Sequence, residues 1–306
     1  MATKNDVLKI YKMKKTTVLR NLLKQPGLIV APGAENAFTA KIIEQTGGFR
    51  AVYMTGSGTA ASLIGTPDVG LLTMTEMVTQ ARNLAMATDL PVIADADAGY
   101  GNILNVMRTV REYEKSGVAA IHIEDQVAPK RCGHFEGKRV ISQDEMVGKI
   151  KAAVDAREDT DFVLIARTDA RAPLGLDEAI KRARAYAEAG ADVIFVEALQ
   201  SVEEIRVIVQ SINAPLLVNM VEGGKTPILT TRELEEIGIK IVIFPIDAQC
   251  VAAKAIQELM QELKVTGSVK GFVHRRVTFE EYRSITGFAR YEETEKKYYG
   301  EKPNSY

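Results

Sequence analysis

Cysteine is scarce in this chain. Only Cys132 and Cys250 occur among 306 residues, which excludes a disulfide framework and points to a reducing, cytoplasmic setting. An excess of one charge is missing too: 39 basic side chains face 40 acidic ones, for a formal net charge of −1. That balance gives no support for broad electrostatic binding to nucleic acid or to an anionic membrane. No apolar run approaches the roughly 20 residues of a membrane-spanning helix. The lysine-rich stretch Met1 to Lys15 has no apolar segment behind it of the kind a signal peptide carries. His122, His134 and His274 show no paired ligand spacing with one another or with the cysteines, so a zinc centre is not expected. Linkers and low-complexity tracts are likewise absent, and one domain over 1–306 is expected.

What is present is an ordinary soluble globular mix, 46% apolar and 26% charged, in a chain long enough to bury a large core. Short β-branched runs alternate with amphipathic stretches eight times. The candidate strands are Leu28–Ala31, Ala51–Met54, Val92–Ala94, Ala120–Ile123, Phe162–Ala166, Val193–Val196, Leu216–Val218 and Ile241–Phe244. Most are continuously apolar, as parallel strands buried on both faces should be. Helical periods fill Met74–Ala87, Val106–Ser116, Asp144–Ala156, Asp177–Ala189 and Glu203–Ser211. Thr73, Asn105, Ser142 and Ser201 stand at N-cap positions, and Gly117 and Gly190 where helices should stop. Eight such units predict an α/β fold, a (β/α)8 TIM barrel over about 26–265, with a doubly wound open sheet as the alternative. A short helix, Lys14–Lys24, is expected to close the bottom of the barrel. Phe279, Tyr282, Ile285, Phe288 and Tyr291 recur at helical spacing in a charged extension over about 275–300, which must pack on its own barrel or on a neighbouring subunit.

Enzymes of this fold place their sites at the C-terminal ends of the strands. Four successive runs here end in charged groups, and a fifth ends in Asn219. Asp95 and Asp97, two apart on one strand, face the same way, and Glu124 on the next strand adds a third carboxylate. Such an oxygen set suits Mg²⁺ or Mn²⁺; the alternative is three solvated carboxylates capping the following helices. The connection from Asp125 to about Ile141 is long for a compact barrel and reads as a lid. It carries Lys130-Arg131-Cys132-Gly133-His134, where the cations favour a reactive thiol over an inert one. Cys132 is therefore a candidate nucleophile or proton donor. Cys250, in an alanine-rich helical stretch, is expected to be packed away.

Gly56-Ser57-Gly58-Thr59-Ala60-Ala61 half-matches a dinucleotide fingerprint, but Gly65 and Pro67 are expected to interrupt the helix that motif requires. Its backbone N–H groups could still hold a carboxylate. His122 reads as a core histidine and His274 as part of a basic surface stretch.

The motifs Asp95-Ala96-Asp97, His122-Ile123-Glu124-Asp125-Gln126, Lys130-Arg131-Cys132-Gly133-His134, Ala166-Arg167-Thr168-Asp169 and Phe195-Val196-Glu197 resemble those of the isocitrate lyase and phosphoenolpyruvate mutase superfamily, in its small lyase branch. The resemblance runs from about Leu19 to Arg290. It implies a Mg²⁺-dependent carbon–carbon lyase that cleaves a 2-hydroxy acid to pyruvate and a carboxylic acid. It also implies a homotetramer that exchanges C-terminal helices. By carry-over, Asp95 and Glu124 hold the metal, with Asp97 and Asp68 partly through water. Thr55, Gly56, Ser57 and Arg167 bind the pyruvate-like half, and Tyr53 assists removal of the C2 hydroxyl proton. Cys132 protonates the departing carbanion, while Lys130, Arg131, Gly133, His134, Phe195, Glu197 and Asn219 position that half. Phe135-Glu136-Gly137-Lys138 and Met220-Val221-Glu222-Gly223-Gly224 offer few polar groups for a third carboxylate. That favours a substituted malate such as 2,3-dimethylmalate over methylisocitrate, although Arg131, Lys138 and Arg139 could supply charge. Oxaloacetate hydrolysis and phosphonate chemistry remain as further alternatives.

Overall fold

The computed structural model describes residues 13–300, His134 excepted; the Met1 to Lys15 reading falls mostly outside them. Helix α1 (Lys15–Lys24) precedes β1 (Ile29–Ala34), α2 (Ala37–Thr46), β2 (Val52–Met54), α3 (Gly56–Ile64), α4 (Met74–Ala87) and β3 (Val92–Asp95). There follow α5 (Ile103–Ser116), β4 (Ala120–Glu124), α6 (Gln143–Ala156), β5 (Val163–Thr168), α7 (Arg171–Leu174), α8 (Leu176–Glu188) and β6 (Val193–Val196). The chain continues through α9 (Val202–Ser211), β7 (Leu216–Asn219), α10 (Thr231–Ile237), β8 (Ile241–Phe244), α11 (Asp247–Thr266), a 3₁₀ turn (Lys270–Arg275), α12 (Phe279–Thr286) and α13 (Phe288–Tyr299). The strands pair in parallel in sequence order, and β8 closes on β1. The open-sheet alternative is thereby excluded.

Alternation along each strand splits the core into two layers. Ile29, Tyr53, Ile93, Val163, Ile165, Phe195, Leu217 and Ile243 fill the barrel interior, and Leu19 and Leu22 of α1 pack into the same cluster. Helix α1 thus plugs the bottom, held by Arg20 to Asp192 at 2.6 Å and Thr17 to Asp161 at 2.5 Å. The other strand face, including Val52, Val92, Ile121, Leu164, Ile194 and Val218, packs under the helices.

Three expectations need correction. A nine-residue helix, α3, does begin directly after β2 and runs to Gly65, because a turn at Gly65 ends a helix without preventing one. Asn105 is the third residue of α5, and its cap is Asn102, which accepts from Leu104 and Asn105 N–H while the Asn105 side chain returns the bond. Cys250 is exposed: α11 has no buried residue, and Val251, Ile256, Met260 and Val265 on it face outward. The C-terminal extension is helical but broken at Gly287, whose φ of 74° favours glycine. Its first half packs on α2 of its own chain, with Phe38 and Tyr282 rings 5.7 Å apart. No helix among the described residues is long and apolar enough to cross a membrane.

Candidate active site

Strand ends deliver Tyr53 (β2), Asp95 (β3), Glu124 (β4), Arg167 (β5) and Asn219 (β7) to one rim, with Glu197 directly after β6. Register explains the convergence. Asp95 pairs with His122, Glu124 with Arg167, and Arg167 with Phe195 across adjacent strands. Tyr53, Thr55, Gly56, Ser57, Asp68, Asp95, Cys132, Gly133, Arg167, Glu197 and Asn219 line one small cavity of about 60 Å³. Val221, Pro245 and Ile246 complete the wall with apolar surface; the sequence reading did not single out these three, since apolar loop residues carry no chemical signature. Typical ligand pockets hold roughly 300–1,000 Å³, so the covering loop must lift for a substrate to enter.

The acidic cluster is bridged by a lysine. Lys130 Nζ lies 2.6 Å from Asp68 Oδ1 and 2.7 Å from Asp97 Oδ1. Burial opposes its charge, but Asp97, Asp95, Glu124 and Asp68 together hold its pKa well above the usual lysine range. Burial pushes Asp97 up to about 6 despite Lys130. Burial would also raise Asp95, but His122, Lys130 and Arg167 hold it below its ordinary value; its Oδ1 accepts from Asp97 N–H at 2.9 Å. Glu124 is 0% exposed, and neither of its side-chain oxygens has a hydrogen-bond donor. Arg167 Nε stands 3.3 Å away, yet burial raises the Glu124 pKa well above the carboxylate range.

Among the described residues no three His, Cys, Asp or Glu side chains converge closely enough to chelate a metal as they stand. The donor set nevertheless fits a hard divalent cation. Both Glu124 oxygens, beside Asp95, lack a hydrogen-bond donor, and oxygen ligands with room for water suit Mg²⁺.

Tyr53 and His122 form the floor. The Tyr53 hydroxyl lies 2.8 Å from His122 Nε2, and the two rings stack at 5.8 Å. Burial holds the phenol well above its ordinary pKa and pushes His122 down to about 4, so both are neutral. Phe195 is fully buried beneath them, edge-on to His122 at 5.8 Å and under the Arg167 guanidinium at 5.0 Å. It supports Arg167 from below and does not itself line the cavity, contrary to its expected place among the substrate-binding residues. The first N–H groups of α3, at Gly56 and Ser57, have no partner within the helix, while Thr55 Oγ1 takes the Gly58 N–H at 3.1 Å. They give the rim an anion-binding edge.

Behind Arg167 stands a carboxylate tier. Asp169 accepts from Arg167 Nε at 2.8 Å and Nη2 at 3.1 Å, and from Lys138 Nζ at 2.8 Å. Asp125 in turn accepts from Asp169 N–H, Thr168 Oγ1 and the Tyr186 hydroxyl, each at 2.8 Å. Burial would raise the Asp169 pKa, but Arg167 and Lys138 hold it well below the carboxylate range. Asp169→Asn would leave two buried cations short of a partner and is expected to cost about 3–5 kcal/mol, read from urea midpoints. Because the folded pKa is depressed, the wild-type contribution is full above roughly pH 4 and lost as acid titrates the group. The variant should show the shallower acid limb.

The loop is folded over the cavity. Cys132 N–H donates to Asp68 O at 3.1 Å, Phe135 N–H to Cys132 O at 2.9 Å, and the Gln126 amide takes both backbone groups of Arg131. A β-carbon at Gly133 would lie 2.4 Å from Arg167 Nη2, so only glycine permits this approach. Arg131 itself is exposed and its Nη1 donates to Glu136 O at 3.3 Å. Lys138 is buried against Asp169 and Gly133 O, and Arg139 is exposed. None of these three cations lines the cavity. His134 lies outside the described residues. Glu197 accepts from its own Ala198 N–H at 2.7 Å and from Asn219 Nδ2 at 3.2 Å, with Arg167 Nη2 3.3 Å away. His122 is buried and His274 exposed, as expected.

Comparison with known proteins establishes the family and the fold. The sequence family described as phosphoenolpyruvate phosphomutase matches residues 19–264. The chain is 52% identical over 286 residues to 2,3-dimethylmalate lyase of Eubacterium barkeri, covering 94% of this chain and 99% of that protein. It is 45% identical over 275 residues to 2-methylisocitrate lyase of Aeropyrum pernix, covering 90% and 88%. A crystal structure of 2,3-dimethylmalate lyase, a member of the phosphoenolpyruvate mutase and isocitrate lyase superfamily, superposes with a TM-score of 0.88 at 41% identity, covering 93% and 95%. Phosphonopyruvate hydrolase complexed with oxalate and Mg²⁺ superposes with a TM-score of 0.85 at 33% identity, covering 94% and 99%.

Proposed function

Because the chain belongs to the phosphoenolpyruvate mutase and isocitrate lyase superfamily, we propose that it is a Mg²⁺-dependent carbon–carbon lyase cleaving 2,3-dimethylmalate to pyruvate and propionate. The observation that carries this reading is one small cavity in which Cys132, Arg167, Tyr53 and Asp95 line the wall together with apolar Val221, Pro245 and Ile246. Polar groups gather where a 2-hydroxy carboxylate needs them, and the apolar wall suits alkyl substituents. Asp95 and Glu124, with Asp97 and Asp68, would hold the metal. When bound it would polarise the C2 oxygen and stabilise negative charge there.

The chain's own groups do the rest. Gly56 and Ser57 N–H, Thr55 and the Arg167 guanidinium orient the C1 carboxylate. The neutral Tyr53 hydroxyl takes the C2 hydroxyl proton while passing its own proton to His122 Nε2, 2.8 Å away. The C2–C3 bond breaks, its electron pair moving to C3 next to the departing carboxylate. Cys132 delivers the thiol proton to C3, completing propionate, while C2 becomes the ketone of pyruvate. Glu197 and Asn219 position the departing half, and the closed loop excludes the water that would otherwise compete.

Pyruvate release coupled to lactate dehydrogenase, with Mg²⁺, tests the reading on 2,3-dimethylmalate, 2-methylmalate, 2-methylisocitrate and oxaloacetate, the last followed by acetate formation. Highest kcat/KM on 2,3-dimethylmalate is expected. Preference for 2-methylisocitrate would keep the cleavage chemistry and reassign the substrate, and oxaloacetate hydrolysis alone would replace the lyase.

The assembly we propose is a homotetramer exchanging C-terminal helices. Its support is the outward apolar face of α11 with Phe279, Tyr282 and Tyr291 beyond it. Light scattering after size-exclusion chromatography should give four times the 33.5 kDa chain mass; a monomer would refute this. The two free cysteines suit a cytoplasmic setting.

A further inference from the structure

A buried ammonium destabilises a fold unless it is paired and hydrogen-bonded. Lys138 has a side chain only 1% exposed and sits on the stem of the β4–α6 connection. There Val127 N–H donates to Arg139 O at 2.9 Å, and Gln126 bridges Val140. From this stem Nζ donates to two oxygens, Gly133 O at the loop tip and Asp169 Oδ1 at 2.8 Å. The first belongs to the residue after Cys132. The second belongs to the carboxylate that grips Arg167 through both Nε and Nη2. One ammonium therefore joins the part of the site that must lift to the part that stays fixed.

Lifting the tip would break the Lys138–Gly133 bond while the stem keeps Lys138 against Asp169. Closure restores the second acceptor, a charge-assisted bond made only in the closed arrangement. It also brings Gly133 against Arg167 Nη2 and Glu197, where no β-carbon fits.

We propose that Lys138 is a positioning residue: its ammonium latches the Cys132 turn over the cavity and, through Asp169, ties that closure to the orientation of Arg167. The catalytic consequence rests on the lyase reading; the latch does not.

The test is the rate of Cys132 alkylation by iodoacetamide, mapped by peptide mass to separate it from Cys250. It is measured in wild type, Lys138→Met and Lys138→Arg, with and without oxalate plus Mg²⁺. The methionine variant should alkylate about tenfold faster and lose most of the oxalate protection, because the closed state is no longer held. The arginine variant, which keeps the charge but not the compact two-oxygen fit, should fall between. With a substrate that is turned over, kcat should fall about 10²-fold in Lys138→Met while KM changes less than about threefold, with partial rescue by arginine.

A lysine that only supports folding would lower Tm and leave the alkylation rate of the folded protein and kcat unmoved, and that result overturns the proposal. Should the methionine variant not fold, unchanged alkylation in Lys138→Arg overturns it equally. Absence of pyruvate from wild type on every substrate would sink the lyase reading alone, since alkylation still decides the latch.

Discussion

Cys132→Ser should cut turnover of 2,3-dimethylmalate by about 10²–10⁴-fold, the range expected for losing a placed general acid. The carbanion formed at C3 adjoins a carboxylate and is strongly basic, so the step needs a proton within contact distance rather than from bulk water. Serine keeps the size and the loop geometry. The bonds that shape the turn, Cys132 N–H to Asp68 O and Phe135 N–H to Cys132 O, are backbone bonds. The hydroxyl, however, is a far weaker acid than the thiol. Folding and Tm should therefore stay near wild type while kcat collapses, measured by the coupled pyruvate assay beside thermal unfolding. Turnover within about threefold of wild type would remove Cys132 from the proton transfer.

How far the sequence carries depends on which physical signal each residue leaves. Met74–Ala87, Val193–Val196 and Ile241–Phe244 emerge with the boundaries that periodicity implies, because burial on two faces of a barrel strand and one face of its helix dictates residue type directly. The rim carboxylates and Arg167 were legible for a related reason: charge at the end of an apolar run has no packing explanation. Other features depend on tertiary placement. Cys250 looks like a packed helical residue until α11 is seen to leave its faces bare. Arg131 and Lys138 lie seven residues apart in one loop and read alike, yet one is exposed and the other buried against Asp169. Nothing in their neighbours distinguishes them. Val221, Pro245 and Ile246 shape the cavity only because two loops meet there.

Removing divalent cations with EDTA should abolish turnover, and Glu124→Gln should lower it at least about 10²-fold without rescue by added Mg²⁺. Glu124 separates a metal role from a structural one with unusual clarity. Its two oxygens are buried and lack donors, and burial keeps its proton well above the usual carboxylate range. Glutamine has nearly the shape of glutamate, so a residue needed only for packing would tolerate it with little change in Tm. A metal ligand would not, because the amide cannot supply the negative charge that holds a hard cation. The raised pKa carries a second consequence. Ligation needs the carboxylate form, so an upward-shifted Glu124 makes apparent Mg²⁺ affinity, measured by calorimetry, strengthen as pH rises, with protons released where the acid form is populated. The glutamine variant should lose both the affinity and the proton release. If it bound Mg²⁺ and turned over like wild type, Glu124 would be a packing residue, and any cation would have to rest on Asp95 with Asp68 and Asp97. Those last two are bridged by Lys130 at 2.6 and 2.7 Å, so that lysine would then have to withdraw before the site could form.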